Sequence, residues 1–183
     1  MIKILRTIRL DPSDGFVFDR AAEPGEWAVT GSGLFRQVDV PAMSPKLRAA
    51  FRSGFLAIES LGFSTLVEVA EASEAEHVAL VERLSEQLLQ HFGAPDAQTA
   101  REVAAEELAF AASLCDHTPG TVIAMRRTYE AGSIKEQFRT LQRREVTPGA
   151  DRRHALARVF DFIEVEDGPG DRVDLVGLTE TRR

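Results

Sequence analysis

Apolar and polar positions follow two rhythms along this chain, one of period two and one near 3.6. Residues 2–10 read as a strand, closed by Asp11-Pro12-Ser13-Asp14-Gly15, whose residue types favour turns. Phe16-Val17-Phe18-Asp19 and Trp27-Ala28-Val29-Thr30 flank Glu23-Pro24-Gly25-Glu26. That arrangement predicts a β-hairpin burying Phe16, Phe18, Trp27 and Val29. Ser44-Pro45 supplies an N-cap and a first-turn proline, and Leu47, Phe51, Phe55 and Ile58 extend the predicted helix to Gly62. Residues 63–69 read as a strand. Ser73-Glu74-Ala75-Glu76 is a capping box, followed at helical spacing by Val78, Val81, Leu84, Leu88 and Phe92, with Gly93 and Pro95 as the stop. A third helix runs from Asp96 to Cys115 and ends before Pro119-Gly120, and residues 121–129 form a strand. Ser133-Ile134-Lys135-Glu136 repeats the capping-box pattern and predicts a short helix with Ile134, Phe138 and Leu141 inward. Residues 156–165 and 172–178, joined by Asp167-Gly168-Pro169-Gly170-Asp171, predict two closing strands.

Strands in hairpins around a central group of helices predict an α+β fold, a single domain over 1–183. The sheet is expected to be antiparallel or mixed, with about four helices mainly on one face. An α/β sandwich with helices on both faces is the alternative. A chain of 183 residues with 44% hydrophobic residues buries a core without metals or disulfides as staples. One cysteine, Cys115, excludes an internal disulfide and a multi-cysteine metal site. A net charge of -7 argues against a nucleic-acid partner, and no apolar run reaches the length of a membrane span. Arg6 and Arg9 interrupt the opening segment before a signal-peptide core forms, so the cytoplasm is the expected location.

Catalytic signatures are absent: Gly31-Ser32-Gly33 lacks the third glycine of a dinucleotide site and reads as a turn. His77 and His91 lie about 21 Å apart on one helix, too far to share a metal. Cys115-Asp116-His117 offers a thiolate and a base, but adjacent residues at a helix end point apart, and a polar cap is the favoured reading. Glu107 falls inside the apolar arc of its helix, defined by Val103, Ala104, Phe110, Ala111 and Leu114. A carboxylate there must be paired, protonated or beside water, and Arg126 or Arg127 on the next strand is the expected partner. Residues 126–158 hold nine basic against four acidic residues, whereas 59–116 hold twelve acids against Arg83 and Arg101. On the expected short helix Lys135, Arg139 and Arg143 form a stripe suited to an anion or an acidic partner surface, with internal neutralisation as the plainer reading.

The opening Ile4-Leu5-Arg6-Thr7-Ile8-Arg9-Leu10-Asp11-Pro12-Ser13-Asp14, with Glu23-Pro24-Gly25-Glu26-Trp27-Ala28-Val29, resembles a bacterial family of proteins of unknown function. The resemblance spans about thirty residues. It implies an accessory role beside lipoate- or biotin-ligase-like and redox enzymes, and carries no catalytic residue. The favoured function is thus a cytoplasmic accessory protein that contacts a protein partner or itself, a homodimer included, without metal, cofactor, nucleic acid or membrane. The alternative is a small enzyme or ligand-binding protein with a pocket near Glu107, Arg127 and His117.

Overall fold

The computed structural model describes residues 1–36, 38–143 and, as backbone, 162–165. In chain order the elements are β1 (Ile2–Ile8), α1 (Asp14–Val17), β2 (Trp27–Val29), α2 (Pro45–Ser53), β3 (Phe55–Ala57), β4 (Phe63–Ser64) and β5 (Leu66–Ala72). Then follow α3 (Glu74–His91), α4 (Ala97–Ser113), β6 (Val122–Glu130), β7 (Ser133–Arg143) and β8 (Phe162–Val165). Two short 3₁₀ turns, Ser32–Phe35 and Val40–Ala42, join β2 to α2. The strands make one antiparallel sheet in the order β4-β3-β2-β1-β5-β6-β7-β8, so the fold is α+β as expected.

Local sequence chemistry accounts for the long helices. Ser73 Oγ accepts from the Glu76 N–H at 3.2 Å while Glu76 Oε2 accepts from the Ser73 N–H at 2.8 Å, the reciprocal capping box that starts α3. Asp96 Oδ1 accepts from the Thr99 N–H at 2.8 Å and starts α4. Ser44 Oγ does the same for Leu47 ahead of α2.

Three expectations are corrected. Residues 16–19 are not a hairpin strand. Phe16 is 78% exposed at the α1 turn, and the buried Asp14 ties that turn to the β4–β5 junction through the Thr65 N–H and Oγ1, at 3.1 and 2.5 Å. Strand β2 pairs instead with β1 and β3. The α2 helix stops at Ser53: Gly54 turns to an extended backbone, φ -91° and ψ 121°, and lies so close to Ala50 and Phe63 that an added Cβ would be 2.8 Å from each. Phe55-Leu56-Ala57-Ile58 is then a wholly buried apolar run, which suits a covered strand. Residues 133–143 are β7, not a helix. Ala131 (φ 50°) and Gly132 (φ 81°) form a two-residue turn with both central residues left-handed, and β7 pairs with β6 from Glu130↔Ser133 to Val122↔Leu141. Of the expected closing strands, Phe162–Val165 pairs with β7, and 172–178 lies outside the described residues.

The main core joins β1–β3, β5 and β6 to Leu84 and Leu88 of α3 and to Ala100, Ala104, Leu108 and Ala111 of α4. Successive strand residues point to opposite faces, yet Ile4 and Leu5, Ala28 and Val29, and Leu56 and Ala57 are all buried, so β1–β3 are covered on both sides. A second cluster of Phe18, Phe35, Met43, Ala50 and Phe51 sits under α2. The sheet curls strongly. Phe55 of β3 and Phe138 of β7 have ring centroids 6.5 Å apart, whereas five strand spacings in a flat sheet would separate them by about 24 Å. Phe138 also meets Phe110 of α4 edge-on at 6.0 Å. The curl carries β7 round to the helix that bears Glu107.

Candidate functional site

Strand β6 alternates Arg126 outward and Arg127 inward, and Arg127 is 0% exposed. Its guanidinium is fully engaged with its surroundings. Nε donates to Glu136 Oε1 at 2.8 Å, Nη1 to the Phe51 carbonyl at 2.7 Å, and Nη2 to the Thr30 carbonyl at 2.8 Å. The ring faces of Phe35 and Phe51 lie 5.1 and 5.8 Å from its central carbon, in cation–π range. Burial pushes the Arg127 pKa down, opposed by the hydrogen bond and charge of Glu136. One side chain thus fastens the end of β2, the α2 helix and β7 to β6.

Glu107 stands beside this knot without pairing to it. On α4 it shares a stripe with Val103 and Phe110, flanking the buried Ala104-Leu108-Ala111 contact with the sheet. It accepts from Thr30 Oγ1 at 3.5 Å and from the Gly33 N–H. Burial raises its pKa above the ordinary carboxylate value. Glu136 adds to the rise by repulsion, while the Gly33 N–H, Arg36 and Arg127 pull it back. The expected Glu107–Arg127 ion pair is therefore corrected: Arg127 pairs with Glu136, at 2.8 Å, and Arg126 is exposed on the opposite side of β6. A cross-strand neighbour wins because Arg127 and Glu136 lie directly opposite in the β6–β7 register.

The Gly31-Ser32-Gly33 turn is needed for this approach. Gly31 has φ 74°, and a Cβ on Gly33 would lie 2.9 Å from Glu107 Oε1. Beneath the turn opens a cleft of about 640 Å³. Its walls include Val29 and Leu56 from the sheet, Leu84 and Leu88 from α3, and Val103 and Phe110 from α4. Glu106, Glu107, Glu136 and Arg36 provide its charged groups. Ser32, Arg36 and Glu136 also border a second hollow, about 400 Å³, reaching Tyr129 and Ile134. No group of three or more His, Cys, Asp or Glu among the described residues is placed to hold a metal ion.

The remaining sequence candidates fall elsewhere. His117 sits in the loop between α4 and β6, its carbonyl accepting from Lys3 Nζ at 2.8 Å, and it lines neither hollow. The run of α4 from Glu107 to Ser113 alone places it about 9 Å farther along the helix axis. Cys115 is buried, donates to the Ala111 carbonyl at 3.3 Å, and has its thiol pKa pushed up to about 12 by burial, against the pull of Lys3. That thiol is not a nucleophile at neutral pH. Lys135 and Arg139 share a strand face with Arg126 and Gln137, all exposed, and Lys135 pairs with Glu130 at 2.7 Å. Arg143 lies on β7 with the same parity, its side chain outside the described residues. Sequence reasoning missed Glu136 and Arg36. The signal for Glu136 was the alternation of Ile134, Glu136 and Phe138 against Lys135, Gln137 and Arg139 after Gly132, a strand pattern behind a hairpin glycine.

No helix among the described residues is long and apolar enough to cross a membrane. No curated protein and no solved structure matches the chain. The resemblance seen in the opening thirty residues extends much farther: the model of a family of unknown function, DUF6505, matches residues 1–152, which include every residue lining the cleft, and the chain belongs to that family.

Proposed function

We propose that this protein binds a small amphipathic molecule in the cleft between the Gly31–Gly33 turn, α3 and α4. The observation that carries this reading is the composition of the cleft wall: apolar side chains from β2, β3, α3 and α4 surround a few charged groups, within the usual size of a ligand pocket, about 300–1,000 Å³. Phe92, Val103 and Phe110 line it, yet each remains more than a third exposed in the free protein. Covering such surface with an apolar ligand is favourable by about 25 cal/mol per Å². Ligand binding thereby moves ahead of the accessory, protein-contact role that the sequence favoured. The exposed Arg126–Lys135–Arg139 face of β6 and β7 supports that role as the second reading.

The test uses Nile red, a neutral apolar dye whose fluorescence rises on leaving water. Saturable binding is expected, and Val103→Trp, which fills the cleft from a half-open position, should abolish it without lowering the melting temperature. Dye binding that never saturates, or that survives Val103→Trp unchanged, would remove the cleft from consideration.

A further inference from the structure

We infer that the ligand of this cleft is an organic monocation, an apolar body bearing an amine head that docks against Glu107 and Glu136. The inference rests on the cleft reading and adds the charge of the ligand to it. Three carboxylates, Glu106, Glu107 and Glu136, line the space against Arg36. Arg127 lies behind the wall, its donors directed to Glu136 and to the carbonyls of Phe51 and Thr30. Counting both guanidinium groups against the three carboxylates leaves one negative charge unmatched. A single cationic head neutralises it, whereas an anionic head would add to the excess.

The donor set points to an organic cation rather than a metal ion. Among the described residues no cluster has metal-binding geometry, and most of the wall is hydrocarbon. An ammonium group needs only two or three oxygen acceptors in hydrogen-bond reach, and its alkyl or aryl body occupies the space bounded by Leu56, Leu88 and Phe110. Glu107 is the discriminating residue. Thr30 reaches one of its oxygens only at 3.5 Å and the Gly33 N–H donates to it, which leaves acceptor capacity for a head group.

The groups that set the charge of Glu107 come from the glycine turn and from the two strands β6 and β7. Arg36 after the glycine turn and Arg127 on β6 pull its pKa down and Glu136 on β7 pushes it up. Glu106, exposed on the same helix, lines the same cleft, while α3 and its C-cap add Leu84, Leu88 and Phe92 to the wall. Since burial favours the neutral carboxyl, amine binding should strengthen as pH rises through the raised titration of Glu107.

The experiment compares 4-phenylbutylamine, 4-phenylbutanol and 4-phenylbutyrate, which share one apolar body, by calorimetric titration of the full chain. The amine should bind about tenfold or more tighter than the alcohol, as expected for a charge-assisted hydrogen bond, and the carboxylate should bind weakest. Glu107→Gln should bring the amine-to-alcohol ratio close to one. Val103→Lys, which supplies a cation inside the cleft and leaves Glu107 in place, should do the same. Equal binding of alcohol and amine, or a ratio unmoved by both variants, overturns the cation inference while Nile red binding keeps the cleft. Binding of Nile red with none of the three compounds bound overturns the cation inference as well. Failure of Nile red itself overturns the cleft reading.

Discussion

Replacing Arg127 by Met is the sharpest perturbation of the frame that holds this cleft. The side chain is 0% exposed, and its partner Glu136 is only 13% exposed. Met fills much of the volume but leaves a carboxylate without its cation and strips donors from the Phe51 and Thr30 carbonyls. Breaking one partner of a buried pair costs about 3–5 kcal/mol, and the orphaned carbonyls lie within the same network, so their losses do not simply add. For a urea m-value of about 2 kcal/mol/M, a loss of about 4 kcal/mol lowers the unfolding midpoint by about 2 M. Arg127→Lys keeps the charge but loses the planar fork between Phe35 and Phe51, and should fall between Met and the parent. The double change Arg127→Met/Glu136→Leu removes the stranded carboxylate, and should be milder than Arg127→Met alone. An Arg127→Met protein within about 1 kcal/mol of the parent, or a double variant worse than the single, would refute the claim that this pair locks β7 onto β6 and α2.

Glu107 makes stability depend on pH. Its folded pKa lies above the ordinary value of 4.5, so its contribution is fully present below 4.5 and is lost as pH rises through the folded value. Glu107→Gln should therefore gain on the parent as pH climbs through that window in urea melts. A constant difference across it would contradict a buried, raised carboxyl. Cys115, with its thiol pushed up to about 12, should react with a disulfide reagent only as fast as the protein opens, so a burst of labelling on the folded protein would disprove its burial. Gly62→Ala would set a Cβ 2.6 Å from the Ala22 nitrogen and 2.7 Å from the Ala21 carbonyl, and should destabilise by about 1–3 kcal/mol in the same urea assay. A neutral result there would mean that the β4 strand shifts freely against residues 21–22.

The same four-residue pattern marks the border between what sequence alone determined and what tertiary structure decided. Ser73-x-x-Glu76 and Ser133-x-x-Glu136 carry identical capping chemistry. The first opens an eighteen-residue helix, because the apolar positions after it keep helical spacing and nothing competes for its side chains. The second lies in a strand. A cap is worth about 1 kcal/mol, which cannot outweigh the ladder to β6 and the burial of the Arg127–Glu136 pair. Helices α3 and α4, strands β1 and β6, the buried Cys115 and the unusual position of Glu107 were all legible, because each depends on periodicity or on chemistry within a few residues. The end of α2 at Gly54 was not, since Leu47, Phe51, Phe55 and Ile58 satisfy a helix and a helix-then-strand equally well. The cleft was not legible either. Its walls come from positions 29 to 136, and Glu136 lines the same cavity as Glu107 only because the sheet curls enough to bring Phe138 against Phe110 and Phe55. Local spacing encodes elements, but which carboxylates share a cavity is set by sheet curvature, a sum of long-range contacts that no window of the sequence contains.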